Sequence, residues 1–292
     1  MYKTVVAGSL ALLLCACGSS QPPATTTASS ASTPAAATSA PFATDQPNEM
    51  VPPRSAAQLS ADMLHKVLSS PARDKAARAL DAQRHPARTL AFFGLRPDMN
   101  VIEVAPGDGW YAAILAPLLE QDGTYTATTV SPLASKQAGV VMQALRKTFD
   151  GDRGHFGRAR LASFDPHTPN LGTPGSADMV LSFRDVHVWV AKGTAGTMFR
   201  AIHDVLKPGG VFGVVDNRAP ADADLDDFKG TPCLRQADVI KLAVRAGFKL
   251  AEASDINANP ADEGCGKQVG ADADRMTLRF VKPAKPAHAQ SA

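Results

Sequence analysis

Two glycines one residue apart close an apolar run in Glu103-Val-Ala-Pro-Gly107-Asp108-Gly109-Trp-Tyr-Ala112, with acids on both sides of the first. Glycines so placed let the backbone approach a ligand with no Cβ in the way, and a helix that follows presents its first amides to the same ligand. Read as Gly107-x-Gly109-x-x-Ala112, the loop also meets a loose dinucleotide fingerprint, a weak signal by itself. No Gly-Lys-Ser/Thr follows the glycines, which excludes a kinase-type phosphate loop. A second group, Arg184, Asp185 and His187, follows another apolar run, and Asp216 with Arg218 follows a third. His187 is the preferred general base of the set, with Asp216 orienting it or the substrate. Arg184 and Arg218 would hold an anionic group of the substrate. The same five residues also read as an ion-pair network that fixes loops. Trp110 and Tyr111 line a pocket or pack in the core, and Trp189 is a lid or packing residue.

These groups can meet only if the elements bearing them stand side by side. Helices are expected over Ala57 to Leu68, Pro71 to Gln83 and Pro86 to Phe93, with Pro71 and Pro86 at helix starts, where proline is tolerated. From there strands and helices alternate. Strands are expected at Asn100 to Ala105, Thr124 to Val130, Ala159 to Ser163, Ala177 to Ser182 and Val211 to Val215. Helices fall between them at Trp110 to Leu119, Leu133 to Phe149 and Thr194 to Leu206, the last stopped by Lys207-Pro-Gly-Gly210. A helix from Gln236 to Ala246 and strands at Phe248 to Ser254 and Met276 to Val281 complete the pattern. Alternation of this kind means βαβ units with right-handed crossovers and a parallel sheet. The expectation is an α/β, Rossmann-like, doubly wound and mostly parallel seven-stranded sheet. Its last strand pair, with no helix between the strands, is antiparallel, and helices precede it.

Ligands of such sheets bind at the carboxyl ends of the strands. At the second strand a carboxylate normally holds ribose hydroxyls, but this chain has Thr128-Thr129-Val130-Ser131 and no acid. Asp165 follows Phe164 at the third; it would accept an adenine amino group under cover of the ring, or is a solvated turn residue before Pro166. The Leu206-Lys-Pro-Gly-Gly210 string and the closing antiparallel pair resemble class I S-adenosylmethionine-dependent methyltransferases more than nicotinamide oxidoreductases. The resemblance narrows to a group of predicted bacterial methyltransferases, often exported. It rests on Phe92-Phe-Gly-Leu-Arg-Pro97, Val101-Ile-Glu-Val-Ala-Pro-Gly-Asp-Gly-Trp-Tyr111, Leu115-Ala-Pro117, Phe183-Arg-Asp-Val-His-Val-Trp189, Val214-Val-Asp-Asn-Arg218, Asn259-Pro-Ala-Asp262, Asp274-Arg275 and Phe280-Val-Lys-Pro283. It implies a methyltransferase fold with Glu103, Gly107 and Gly109 at an S-adenosylmethionine site, which Asp108, Thr129, Phe164 and Asp165 would complete. The chain departs from that group at Asn217, where His is frequent, and at Met276, where an aromatic residue is expected.

Lys3, the apolar run Val5 to Leu14 and the small residues after it form a secretory signal too short to span a bilayer. Leu14-Cys15-Ala16-Cys17 resembles a bacterial lipobox, which implies cleavage after residue 16 and acylation of Cys17; Gly18 resembles an outer-membrane sorting signal. A Cys15/Cys17 metal pair is the other reading, without partner ligands nearby. Residues 17–55, rich in Ala, Ser, Thr and Pro, form a disordered tether reaching roughly 30–35 Å. The domain spans 56–283, and 284–292 is a tail. The expected location is the cell envelope, lipid-anchored and facing the periplasm. Cys233 and Cys265 either bridge, adding ~3–4 kcal/mol on a chain-entropy argument, or stay as buried thiols. A net charge of +2 gives no case for nucleic acid. His65, His85, His155, His167 and His203 lack ligand spacing, so no metal is expected. The functions in balance are methyl transfer to a small-molecule or envelope acceptor and a tethered, non-catalytic module reusing the cleft.

Overall fold

The computed structural model describes residues 55–224, 231–262 and 273–284. The expected signal and tether up to residue 54, with Cys17, the expected partner Cys265, and the tail from residue 285 lie outside them.

Ser55 opens α1 (Ala56–Leu68) through a capping box with Gln58: its Oγ accepts from the Gln58 N–H at 3.2 Å, and Gln58 Oε1 accepts from the Ser55 N–H at 2.8 Å. The single helix expected from Pro71 to Gln83 is instead two, α2 (Lys75–Ala79) and α3 (Asp81–Arg84). Asp74 is the cause, because its carboxylate accepts from the Ala77 N–H at 3.0 Å and starts a helix there. Arg73, 4% exposed, then holds the bend by donating to both carboxylate oxygens of Asp81 at 2.8 and 2.9 Å. α4 (Pro86–Phe93) begins at its proline as expected. A residue before proline avoids the right-handed helical region, and His85 takes φ 42°.

The alternating part runs β1 (Asn100–Val104), α5 (Ala112–Leu118), β2 (Thr124–Val130), α6 (Lys136–Gly151), α7 (Arg153–Phe156), β3 (Arg160–Phe164) and β4 (Ala177–Phe183). It continues with α8 (Val186–Ala191), α9 (Ala195–Val205), β5 (Leu206–Ala219), β6 (Leu234–Arg235), α10 (Gln236–Arg245), β7 (Lys249–Ser254) and β8 (Arg275–Val281). The strand order is β3-β2-β1-β4-β5-β8-β7, with β6 paired only to β5. β8 runs antiparallel to both β5 and β7, so the closing pair is antiparallel and β8 alone opposes the sheet. The chain leaves β1 toward β2 and β4 toward β5, which makes the β1/β4 boundary the switch point where ligands of doubly wound sheets bind.

Other elements also differ from the sequence expectation, the short α7 among them. β6, a two-residue strand, makes the sheet eight-stranded and is too short to leave a pattern. β5 spans 14 residues, because Lys207-Pro-Gly-Gly210 ends α9 yet passes straight into extended backbone; Gly209 N–H donates to Lys282 O at 2.8 Å. α8 is absent from the expectation, since three valines in six residues disfavour a helix; burial of Val186 and Trp189 holds it.

Met179, Val180 and Leu181 alternate between two apolar layers. One contains Leu90, Phe93, Tyr111 and Tyr125, the other Phe199, Phe212, Val239 and Phe280. α4 lies close on the first through Gly213, where a Cβ would come within 2.9 Å of the Phe93 ring and 2.8 Å of Leu181. Cys233 is buried and disulfide-bonded.

Candidate functional site

At the end of β1 the ladder continues one residue further, Ala105 N–H donating to Thr128 O at 2.7 Å. The chain then turns through three left-handed residues, Ala105 at φ 51°, Gly107 at 59° and Gly109 at 85°. Only Ala105 carries a Cβ there, at a cost of about 1 kcal/mol. A Cβ on Gly107 would meet nothing within 4 Å, so this glycine faces open space. The expectation that helical amides serve a ligand needs correction. α5 starts at Ala112, and the N–H groups of Ala113, Ile114 and Leu115 already donate to Gly109 O and Tyr111 O at 2.8–2.9 Å.

A cleft of about 240 Å³ opens beside this turn, between the ends of β1 and β4. Glu103, Gly107 and Asp108 line one side, Arg184 and Asp185 the other. The Tyr111 and Phe183 rings stack along it, centroids 3.5 Å apart and 7° from parallel. Arg84 at the end of α3, Asn257 and Arg275 complete the lining. Asn257 Nδ2 donates to Thr89 Oγ1 at 3.0 Å and Arg275 Nη2 to Gln83 O at 2.7 Å, stitching the N-terminal helices to the last strand.

The acids of the cleft are withdrawn from water. Glu103, 2% exposed, accepts from the Tyr125 hydroxyl at 2.5 Å. Burial pushes its pKa up to about 8, against that hydrogen bond. Asp185 titrates well above the usual carboxylate range, first through burial, then through repulsion by Asp216 and Glu103. Its Oδ2 is buried without a hydrogen-bond partner. Arg184 sits at φ 70°, its N–H donating to Val215 O at 2.8 Å and its Nε buried without a partner. Asp216 is fully buried and accepts from the His187 N–H at 3.1 Å, with His187 Nδ1 at 2.9 Å. This clamp fixes the start of α8 to β5.

The structure therefore gathers Glu103, Gly107, Asp108 and Arg184 at one cleft, with Asp185 beside them. It does not gather the rest. His187 and Asp216 are occupied with each other and do not line the cleft. Arg218 belongs to the ion-pair reading: it donates to Asp274 at 2.8 and 3.0 Å and to Asp255 at 2.9 Å, and those aspartates raise its pKa. Gly109 lines a neighbouring cleft of about 250 Å³. Thr129 and Phe164 are each 4% exposed, the latter in the core, so its ring covers no ligand. Asp165 caps its own turn, accepting from the N–H groups of His167 at 2.8 Å and Thr168 at 3.0 Å. Arg84, Asn257 and Arg275 lie outside the sequence expectation, where only the Asp274-Arg275 string draws notice.

Trp110 divides the two clefts and lines both. Its Nε1 donates to Ala77 O at 2.9 Å, and the guanidiniums of Arg84 and Arg73 lie 4.5 and 5.5 Å from its ring centre. Among the described residues no group of three or more His, Cys, Asp or Glu is placed to hold a metal ion.

No family model matches the sequence, and no curated protein matches it. Solved structures resemble it in fold. The [4+2]-cyclase SpnF aligns at TM-score 0.54 and 16% identity over 79% of this chain and 97% of its own. An S-adenosylmethionine-dependent methyltransferase from Aquifex aeolicus aligns at TM-score 0.50 and 14% identity, over 76% of this chain and 98% of its own. At such identities the likeness concerns architecture: the chain has the Rossmann-like fold of these proteins.

Proposed function

We propose that the cleft at the ends of β1 and β4 binds S-adenosylmethionine and that the chain transfers its methyl group to a small-molecule or envelope acceptor. The observation that carries this is the turn at Gly107, left-handed and open, facing a cleft whose other groups include two buried acids. A ligand bearing cationic sulfonium and ammonium groups would favour the ionised forms of Glu103 and Asp185, so the residues present fit this half of the molecule. Glu103, Gly107 and Asp108 would hold it. Bound there, S-adenosylmethionine supplies an electrophilic methyl group.

The chain's own task is alignment, and well-aligned reactants reach effective molarities of about 10⁵ M or more. Asp185 replaces His187 as the base in this proposal, because Asp185 lines the cleft and its Oδ2 has no partner, while the His187 ring is engaged with Asp216. A raised pKa makes the ionised Asp185 a stronger acceptor for the proton leaving an oxygen or nitrogen nucleophile. Asp216 and His187 act as positioning residues that keep the Arg184–Asp185 turn against the cleft.

In the same proposal the protein works in the cell envelope, anchored by lipid on Cys17. Among the described residues no helix is long and apolar enough to cross a membrane. A second reading is a tethered binding module for another nucleoside or small metabolite. It is favoured by the ends of β2 and β3, which bring no carboxylate to the cleft. A fold shared with a cyclase also leaves the reaction open. Calorimetric titration of the full chain with S-adenosylmethionine and S-adenosylhomocysteine separates the two. Micromolar binding of both is expected, and absence of heat from a folded sample leaves the binding module.

A further inference from the structure

Arginines withdrawn from solvent usually find a carboxylate, and in this protein Arg73, Arg218 and Arg235 each meet an aspartate at 2.8 Å. Arg84 and Arg184 are also only partly exposed, yet among the described residues neither side chain makes an ion pair or a hydrogen bond. Both line the same cleft. Arg84 is laid over the Trp110 ring, 4.5 Å from its centre, at a position that burial disfavours for its charge. Asp108 attracts it without contact, and Arg184 repels it, which puts the two guanidiniums within electrostatic range.

The backbone under Arg184 is no accident of a loose loop. It sits at φ 70°, in a region that costs an L-residue about 1–2 kcal/mol, and its N–H is tied to Val215 O at 2.8 Å. The side chain so held leaves Nε buried and unpartnered. Of the cleft's acids, Glu103 and Asp185 do little to neutralise the pair, because burial raises the pKa of both, and Asp108 attracts Arg84 without touching it. Two cations facing one cavity with no counter-charge in contact is an arrangement that an anion between them would relieve.

We propose that Arg84 and Arg184 together bind an anionic group, a carboxylate or a phosphate, carried by the second reactant, so that the acceptor is an anionic small molecule. Guanidiniums suit this task, since their planar donor pairs match carboxylate and phosphate oxygens. The identity of the anion's bearer as acceptor rests on the methyl-transfer reading; the anion site does not. The competing source of the same chemistry is the carboxylate of S-adenosylmethionine itself.

The test is titration of the full chain with inorganic phosphate, alone and with saturating S-adenosylhomocysteine. Arg84→Gln and Arg184→Asn are run beside it, asparagine being chosen because it tolerates left-handed backbone. Expected is millimolar phosphate binding, weakened about tenfold by either substitution and retained with S-adenosylhomocysteine present. Phosphate binding that both variants leave unchanged, or none at all, overturns the site. Competition by S-adenosylhomocysteine overturns the assignment to the acceptor, since the arginines would then serve the cofactor's carboxylate. Arginine-dependent phosphate binding in a chain that ignores S-adenosylhomocysteine upholds the anion site while the methyl-transfer reading falls. Circular dichroism of the variants, matching the parent, keeps a folding defect from imitating any of these results.

Discussion

At the ends of β2 and β3 the polar side chains have local partners: Asp165 caps the turn it stands in, and Ser131 Oγ accepts from the Leu133 N–H at 3.3 Å. At the ends of β1 and β4, farther along the same sheet edge, several have not. Ala105 and Arg184 are held in left-handed backbone, Arg184 Nε and Asp185 Oδ2 are buried without partners, and Glu103 is buried in a form that resists ionisation. Buried polar groups are paired almost everywhere in proteins, and strain persists where the surroundings impose it. The contrast separates two sets of residues that look alike as sequence. One half of the edge satisfies its own polar groups, whereas the other leaves Arg184 Nε and Asp185 Oδ2 without a partner.

The sharpest way to probe that contrast is Glu103→Gln. The folded-state pKa of about 8 lies above the unfolded value of 4.5, so the folded protein holds a proton that the unfolded chain gives up, and stability falls as pH rises between them. Unfolding in urea at a series of pH values is expected to show the variant gaining about 3 kcal/mol over the parent between pH 5 and pH 8. A gap independent of pH would mean that Glu103 is charged in the folded protein. Next in size, Gly107→Arg is expected to weaken S-adenosylhomocysteine binding by about 100-fold, roughly 2.7 kcal/mol. The same change at Ser131 should leave affinity within about twofold, and equal losses at both positions would erase the difference between the two halves. The smallest effect is expected from Asp165→Ala. Its backbone hydrogen bonds hold its pKa below the usual value, so the stability it adds is present near neutral pH and fades as the solution is acidified through that pKa. Ligand affinity should not move; a tenfold loss on titration would bring the β2/β3 end back into the site.

Much of this is legible in the residues. β2 and α4 fall where the sequence places them, because β-branched runs and a proline at a helix start are local signals. The turn at Gly107 is legible for the same reason. The division of the second helix is not, since Asp74 reads equally as a surface acid or a cap until its neighbours are folded. α8 escapes because burial, which is tertiary, overrides its valines. In the site, Asp165 and Arg218 are misplaced by a general ambiguity: an acid or a base at a strand end either faces a ligand or ties down its own loop. Arg84, Asn257 and Arg275 cannot be found at all from spacing. They reach the cleft by packing between chain segments that lie far apart in sequence, such as Asn257 against Thr89 and Arg275 against Gln83.

The partition between the two clefts is one indole thick. Asp108 and Trp110 are common to both, and the indole is kept in place by a single hydrogen bond to Ala77 and by guanidiniums on its faces. The length of molecule the protein can take is thus governed by the side-chain torsions of one residue, with no strand or helix having to move. Rotating that ring, or trimming it to a smaller side chain, would join a compartment of about 240 Å³ to one of about 250 Å³. On this scaffold, the step from a compact ligand to an elongated one is a change at a single codon.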